Sequence, residues 1–376
     1  MSSDPNPAAW PLLTALSSDV SPLNLRGATR DGSAGPPRRL PWVDLAKGGS
    51  IALVVLLHVS NLMVGRGMAP SWWHDVNAVL EPIRMPLFFL VAGMFAGSVV
   101  SMSWSDVLRR RVLPLVYLYG LWNVLRFGIF MVFPAMASTQ ETASWWNLAT
   151  VVVVPHNGLW FLYALVVYLI AARAVRGCSR WLQLGGAVVI AVGSGFADLP
   201  WTWANIASLV LYFLLGVHAR AVIEQVGAGA TWPRAVIAGG VFAGLYTAYR
   251  STVWPPAATL GFVVSCAGLV AGVLLCAKLQ HWRPLAPLRA LGRRTMPVYL
   301  VHELILGVAA VAMTTVVDVT NVAPVVFGPI HLAVIVVAGS LIAYRLLMRN
   351  RQYWLFGLPE RWRSLVAGPR TAMRTQ

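Results

Sequence analysis

Apolar residues recur along this chain in runs of about twenty, separated by short polar, Pro-bearing or aromatic stretches. A run of that length spans the hydrocarbon core of a bilayer as an α-helix. The pattern predicts ten such helices, near 45–65, 80–102, 112–134, 157–175, 182–198, 202–222, 233–249, 256–277, 290–316 and 327–348. Segments 182–198 and 233–249 are short and rich in Gly and Ala, and "GFADLPWTW" (195–203) and "RSTVWPP" (250–256) read as connections. The first forty residues break the pattern. They are rich in Ser, Pro, Gly and Asp, with "DGSAGPPRR" at 31–39, which predicts a disordered cytoplasmic arm. "WPLLTALSSDV" (10–20) lacks the basic start and long apolar stretch of a secretory signal peptide. The organisation expected is an arm over 1–40, a transmembrane domain over 41–350 and a basic cytoplasmic tail over 351–376.

Composition agrees with that pattern. The chain is 58% hydrophobic and 11% charged, whereas a soluble domain carries about 25% charged residues. The fold class expected is therefore all-α, a polytopic integral membrane bundle of about ten transmembrane helices. The net charge of +16 then bears on orientation, not on nucleic acid. With the N-terminus in the cytoplasm, Lys and Arg gather at 38–47, 109–111, Arg173, Arg176, Arg180, Arg220, Arg234, 278–294 and from Arg345 onward. Arg66, Arg84, Arg126 and Arg250 fall toward the other side. This is the positive-inside asymmetry; it predicts a multi-pass protein of a bacterial inner (plasma) membrane with both termini cytoplasmic. Only Lys47 and Lys278 are lysines, a bias that suggests a GC-rich bacterial source. Cys178, Cys266 and Cys276 show no metal-ligand or disulfide spacing, so no metal site is expected. Internal repeats, the signature of many transporters, are not evident.

Ionisable groups inside membrane spans are functional candidates by default. Here they are His58, Arg126, His302, Glu303 and His331, with Arg84 beside Glu81 at the start of the second span. Helix geometry singles out the first span. Lys47 and His58 are eleven residues apart, so they differ by only about 20° around the axis and about 16 Å along it. Asp44 lies about 40° off the same line. One stripe thus carries an acid and a cation at the cytoplasmic mouth and an imidazole near the midplane. A ligand touching both Lys47 and His58 has to be long, anionic at its cytoplasmic end and reactive in the bilayer. Acyl-coenzyme A has that shape.

These residues resemble the membrane acyltransferase-3 family, in its fucose O-acetylase-like branch. That family opens on Asp, an Arg-Gly pair, an apolar run and a His eleven residues after the Arg. Here the motif stands as "DLAKGGSIALVVLLH" (44–58), with Lys47 where most members have Arg. "MPLFFLVAGMFAG" (85–97) is similar to the family's second span, with Ala92 for the usual Ser, and "RRRVLPLVY" (109–117) to its basic loop, where Arg111 stands three before Pro114. "LWFLYALVVYLI" (159–170) and "LGRRTMPVYLVHELIL" (291–306) resemble two later spans.

The resemblance implies an acyl-CoA-dependent O-acyltransferase of the cell envelope. It would move an acyl group, acetyl before others, to a hydroxyl of an envelope glycan, polysaccharide or glycolipid, with acetyl-CoA as co-substrate and no tightly bound cofactor. It implies His58 as general base, and Lys47, Asp44, Arg109, Arg110 and Arg111 as the acyl-CoA site. Arg84, Arg126, Asn157, Trp160, His302 and Glu303 would line an acceptor cavity, with His156 beside them. The partners implied are the bilayer, the donor, the acceptor and an envelope-export complex. Structural rivals stand beside these roles. The Arg109–Arg111 cluster anchors topology in any case, Trp160 suits an interfacial aromatic belt, and His302 and His331 suit structural hydrogen bonds. Two other classes compete: a multi-pass transporter or flippase, and a non-catalytic partner for an envelope glycolipid.

Overall fold

The computed structural model describes residues 40–137, 144–155, 157–252, 256–316, 325–359 and 362. Ten long helices follow one another: α1 (Pro41–Gly65), α2 (Trp73–Ala96), α3 (Leu113–Val132), α4 (Trp160–Ala174), α5 (Arg180–Gly193), α6 (Trp201–His218), α7 (Trp232–Arg250), α8 (Pro256–Leu279), α9 (Thr295–Val316) and α10 (Gly328–Arg349). Among the described residues there is no strand. The protein is an all-α, polytopic membrane bundle. Among the described residues, eight helical segments are long and apolar enough to cross a bilayer. The other two are α5, with fourteen residues, and α7, whose Gly and Ala dilute its hydropathy; these are the segments whose apolar pattern was poorest.

Three boundaries differ from the hydropathy reading. α2 begins at Trp73, because its outer turns, "WHDVNAV", are too polar to register as a span. The third span is continuous with a preceding stretch from Trp104, including a π-helical turn over Leu108–Val112 that carries Arg109, Arg110 and Arg111. The expected 290–316 span is two pieces: a short helix, Ala286–Gly292, then α9 from Thr295. The short helix packs tightly on α1 beside the break. A Cβ on Gly292 would lie 1.8 Å from the Asp44 carbonyl oxygen, and one on Gly48 1.8 Å from that of Leu288. Glycine on both surfaces lets the two backbones touch, as in close helix crossings of membrane proteins.

α2 is the centre of the bundle. Two-thirds of its apolar window (67%) is buried, against 17% for α10 at the periphery. It packs on α1, α6 and α8, and Gly93 and Gly216 bring α2 and α6 into backbone contact. Pro82 and Pro86 sit inside α2 and remove two helix hydrogen bonds. The chain turns back after α10. Arg351 takes a left-handed conformation (φ 60°), reverses the chain and lays the next residues along α3. There Trp122 Nε1 donates to the Leu355 carbonyl (2.7 Å), Tyr117 to that of Trp354 (3.1 Å), and Leu358 is 2% exposed. Residues 351–359 belong to the bundle, and the remainder of the expected tail lies outside the described residues except for Trp362, as does the arm over 1–39.

Candidate active site

Along α1, Ile51, Val54, His58, Asn61 and Gly65 recur every three or four residues and therefore share a face. That face forms one wall of a cavity of about 930 Å³. α2 supplies Glu81, Arg84, Met85 and Phe88, and α9 supplies Tyr299, Glu303, Leu306, Gly307 and Ala310, again at helical spacing. Trp160 and Phe161 of α4 and Trp201, Thr202 and Asn205 of α6 close the remaining sides. The lining runs up to Arg66, just past the end of α1, whose guanidinium burial holds below its ordinary value.

His58 meets a carboxylate on this wall. Its Nδ1 lies 3.1 Å from Glu303 Oε1, with the His58 side chain 25% exposed and that of Glu303 6%. With Nδ1 directed at the carboxylate, Nε2 is the ring nitrogen left for another partner. His302 stands behind the pair, 5.4 Å from His58 between ring centroids. Its Nδ1 lies 2.8 Å from the Tyr299 carbonyl, so that nitrogen carries the proton and donates. His302 Nε2 is then bare and sits 3.6 Å from Glu303 Oε1. Arg126 is 3% exposed, donates to the Leu300 carbonyl at 3.3 Å, and lies close enough for its charge to act on Glu303. The ligand atoms of His58, His302 and Glu303 all fall within 4.8 Å of one another, a set that a cation could join; the His58–Glu303 distance is already that of a direct hydrogen bond.

The outer part of the cavity is built from amides and aromatics. Asn157 Nδ2 donates to Asn123 Oδ1, and Asn157 Oδ1 accepts from the Leu159 N–H at 3.0 Å. This ties the loop before α4 to α3. Trp160 and Trp201 meet edge to face with centroids 5.9 Å apart, and the Tyr299 hydroxyl donates to the Gly158 carbonyl at 2.7 Å.

The structure thus gathers His58, Glu303, Arg84, Asn157 and Trp160 on one cavity, with His302 and Arg126 directly behind it. Lys47, Asp44 and Arg109–Arg111 stand elsewhere. Lys47 is fully enclosed, 3.5 Å from Asp44 Oδ1 and 5.4 Å from the Phe95 ring centroid, and Asp44 Oδ2 is 3.7 Å from Arg293. Arg110 pairs with Asp106 at 3.0 Å, Arg111 donates to Ser98 Oγ at 3.0 Å, and Arg109 is exposed. His331 is exposed and off the cavity, and His156 lies outside the described residues. Asn61, Asn147, Asn205, Thr202, Trp201 and Tyr299 are cavity residues that the list of charged groups missed. Extending that search to uncharged amides inside apolar spans would have found Asn61 and Asn205.

A membrane bundle holding an imidazole and a carboxylate on the wall of a cavity is suited to proton abstraction inside the bilayer. Residues 40–348 match the acyltransferase-3 family model, described as an acyltransferase domain, and the protein belongs to that family. It is similar to the inner membrane protein YcfT of Escherichia coli (strain K12), with 21% identity over 334 residues, covering 80% of this chain and 91% of YcfT. It is also similar to the nodulation protein NolL of Mesorhizobium japonicum, 27% identical over 177 residues (45% of this chain, 46% of that protein). The NolL of Sinorhizobium fredii is 26% identical over 205 residues (51% and 52%); the match to either NolL spans about half of its length. No solved structure matches this chain.

Proposed function

We propose that this protein moves an acyl group, acetyl before others, from acyl-CoA at the cytoplasmic face to a hydroxyl of an envelope glycan or glycolipid. The observation that carries the reading is the His58–Glu303 pair, 3.1 Å apart, on the wall of a cavity large enough for a sugar. His58 Nε2 takes the proton of the acceptor hydroxyl, and the oxygen attacks the thioester carbonyl carbon. As the intermediate collapses, the C–S bond breaks and the proton passes from His58 to the departing sulfur. Glu303 fixes the tautomer of His58 and stabilises its imidazolium; such a base contributes about 10²- to 10⁴-fold. Arg126 sets its positive charge near Glu303, and His302 packs beside the His58 ring. Asn61, Asn157, Asn205 and Thr202 supply hydrogen-bonding groups for sugar hydroxyls, and the Trp160–Trp201 pair supplies an apolar face for a sugar ring.

On this reading the donor is held by Lys47, Asp44 and Arg109–Arg111. Because Lys47 is enclosed against Asp44, that pairing has to loosen for its ammonium to touch a phosphate. The protein sits in a bacterial inner membrane with both termini in the cytoplasm, so a base between an inner donor and an outer acceptor passes the acyl group across the bilayer. The test is incubation of the purified protein with labelled acetyl-CoA and envelope glycolipid extract, followed by mass spectrometry. Release of free coenzyme A with a gain of one acetyl mass on one species supports the reading. Acceptor that is moved between leaflets yet never modified supports the transporter instead.

A further inference from the structure

Arg84 is a buried cation with little to hold it. Its side chain lies in α2, the most enclosed helix, and lines the same cavity as His58 and Glu303. The residue is 4% exposed, and its Nε is buried with no hydrogen-bond partner. Its one hydrogen bond among the described residues is a long one, 3.5 Å from Nη1 to the Leu53 carbonyl. Glu81 stands one turn away on the same face, but no carboxylate of the described residues comes within 4 Å of Arg84. A guanidinium presents five donors in a fixed fork, and a charge inside a membrane protein is ordinarily paired. Most of the fork of Arg84 is left for something that enters the cavity.

Its position says what that is. Leu53 precedes His58 by five residues on α1, about 7.5 Å toward the Lys47 end. A thioester entering from that end reaches Arg84 before its carbonyl carbon reaches the base, while the amides Asn61, Asn157 and Asn205 are on the acceptor's path. We propose that Arg84 is a catalytic residue whose guanidinium receives the thioester carbonyl oxygen as negative charge builds on it. When the acceptor oxygen bonds to the carbonyl carbon, the π electron pair moves onto that oxygen beside Arg84. The pair returns as the C–S bond breaks, and sulfur leaves with its electrons and the proton carried by His58. Donors already in place where charge develops are a strong catalytic contribution. This role rests on the acyl-transfer reading given above.

The test compares the full-length protein with Arg84→Gln and Arg84→Lys, using acetyl-CoA labelled with ¹³C at the carbonyl and S-ethyl-coenzyme A, a thioether without that oxygen. In wild type, the infrared stretch of the bound ¹³C carbonyl moves to lower wavenumber. In Arg84→Gln it returns to its solution position, and S-ethyl-coenzyme A binds within about twofold of wild type. Coenzyme A release with glycolipid extract falls about 10²- to 10³-fold, with KM for acetyl-CoA little changed, and Arg84→Lys recovers part of the rate. An Arg84→Gln variant with wild-type turnover, or with the same carbonyl stretch, overturns the proposal. So does loss of S-ethyl-coenzyme A binding in both variants, which makes Arg84 a donor anchor, or a rise confined to the acceptor KM, which gives it a permanent anion on the acceptor. Should Arg84→Gln fail to fold, an unaltered rate and stretch in Arg84→Lys is equally fatal. A wild-type protein that binds acetyl-CoA and never releases coenzyme A defeats the acyl-transfer reading itself.

Discussion

The two ends of the polar stripe on α1 are built from similar groups and end in opposite states. At the Lys47 end, an ammonium, a carboxylate and the Arg293 guanidinium are pressed together, and Gly48 and Gly292 seal the backbones around them. At the His58 end, an imidazole and a carboxylate meet on the wall of a chamber, with a second imidazole behind them. One arrangement has its charges already answered, with the Lys47 ammonium fully enclosed. The other leaves His58 partly exposed on the cavity wall with one ring nitrogen beyond its pair. Proximity of charges is thus common to both; what separates them is the packing of neighbouring helices.

The sharpest way to break this contrast is His58→Ala. It is expected to lower coenzyme A release by about 10³-fold or more while the melting temperature stays close to wild type; a variant that still turns over removes the base. At the closed end, Lys47→Met leaves Asp44 short of a partner and is expected to cost about 3 kcal/mol or more of stability, read by thermal unfolding in detergent. Adding Asp44→Asn should restore most of that stability and leave a raised KM for acetyl-CoA. If the double variant has wild-type KM, the closed end is a structural lock alone. Glu303→Gln keeps the shape of the chamber but accepts either tautomer of His58; a fall of about 10²-fold in kcat with little change in KM is expected. Gly292→Ala drives a methyl into the Asp44 carbonyl and is expected to cost about 1–3 kcal/mol without touching the chemistry of the surviving folded protein. The smallest effect is a gain: Arg351→Gly relieves a left-handed residue and should stabilise by about 1 kcal/mol.

Helix existence and the alignment of Lys47 with His58 were legible in the sequence because both are local, set by hydropathy and by a fixed rotation per residue. The partner of His58 was not. Glu303 could be named as an ionisable group in a span, but its approach to α1 depends on how α9 packs, and no local pattern encodes that. The same reason hid the closure around Lys47, which needed Gly48 and Gly292 to be read as one contact across the bundle. The break at Arg293 was locally written: "LGRRTMP" (291–297) interrupts the apolar run with a glycine, two arginines and a proline, signals that end one helix and start another. Of the chamber's amides, Asn157 was read from the sequence, whereas Asn61 and Asn205 carry no charge to mark them within apolar spans.

The return of the chain after α10 has a practical side. Trp122 and Tyr117 give their donors to the carbonyls of Leu355 and Trp354, so this turn works as a plug in the flank of α3. A protein shortened at Arg349 loses the acceptors for both side chains. An affinity handle or fluorescent reporter joined at that point hangs on a destabilised membrane protein, whereas one joined beyond residue 359 leaves the plug seated.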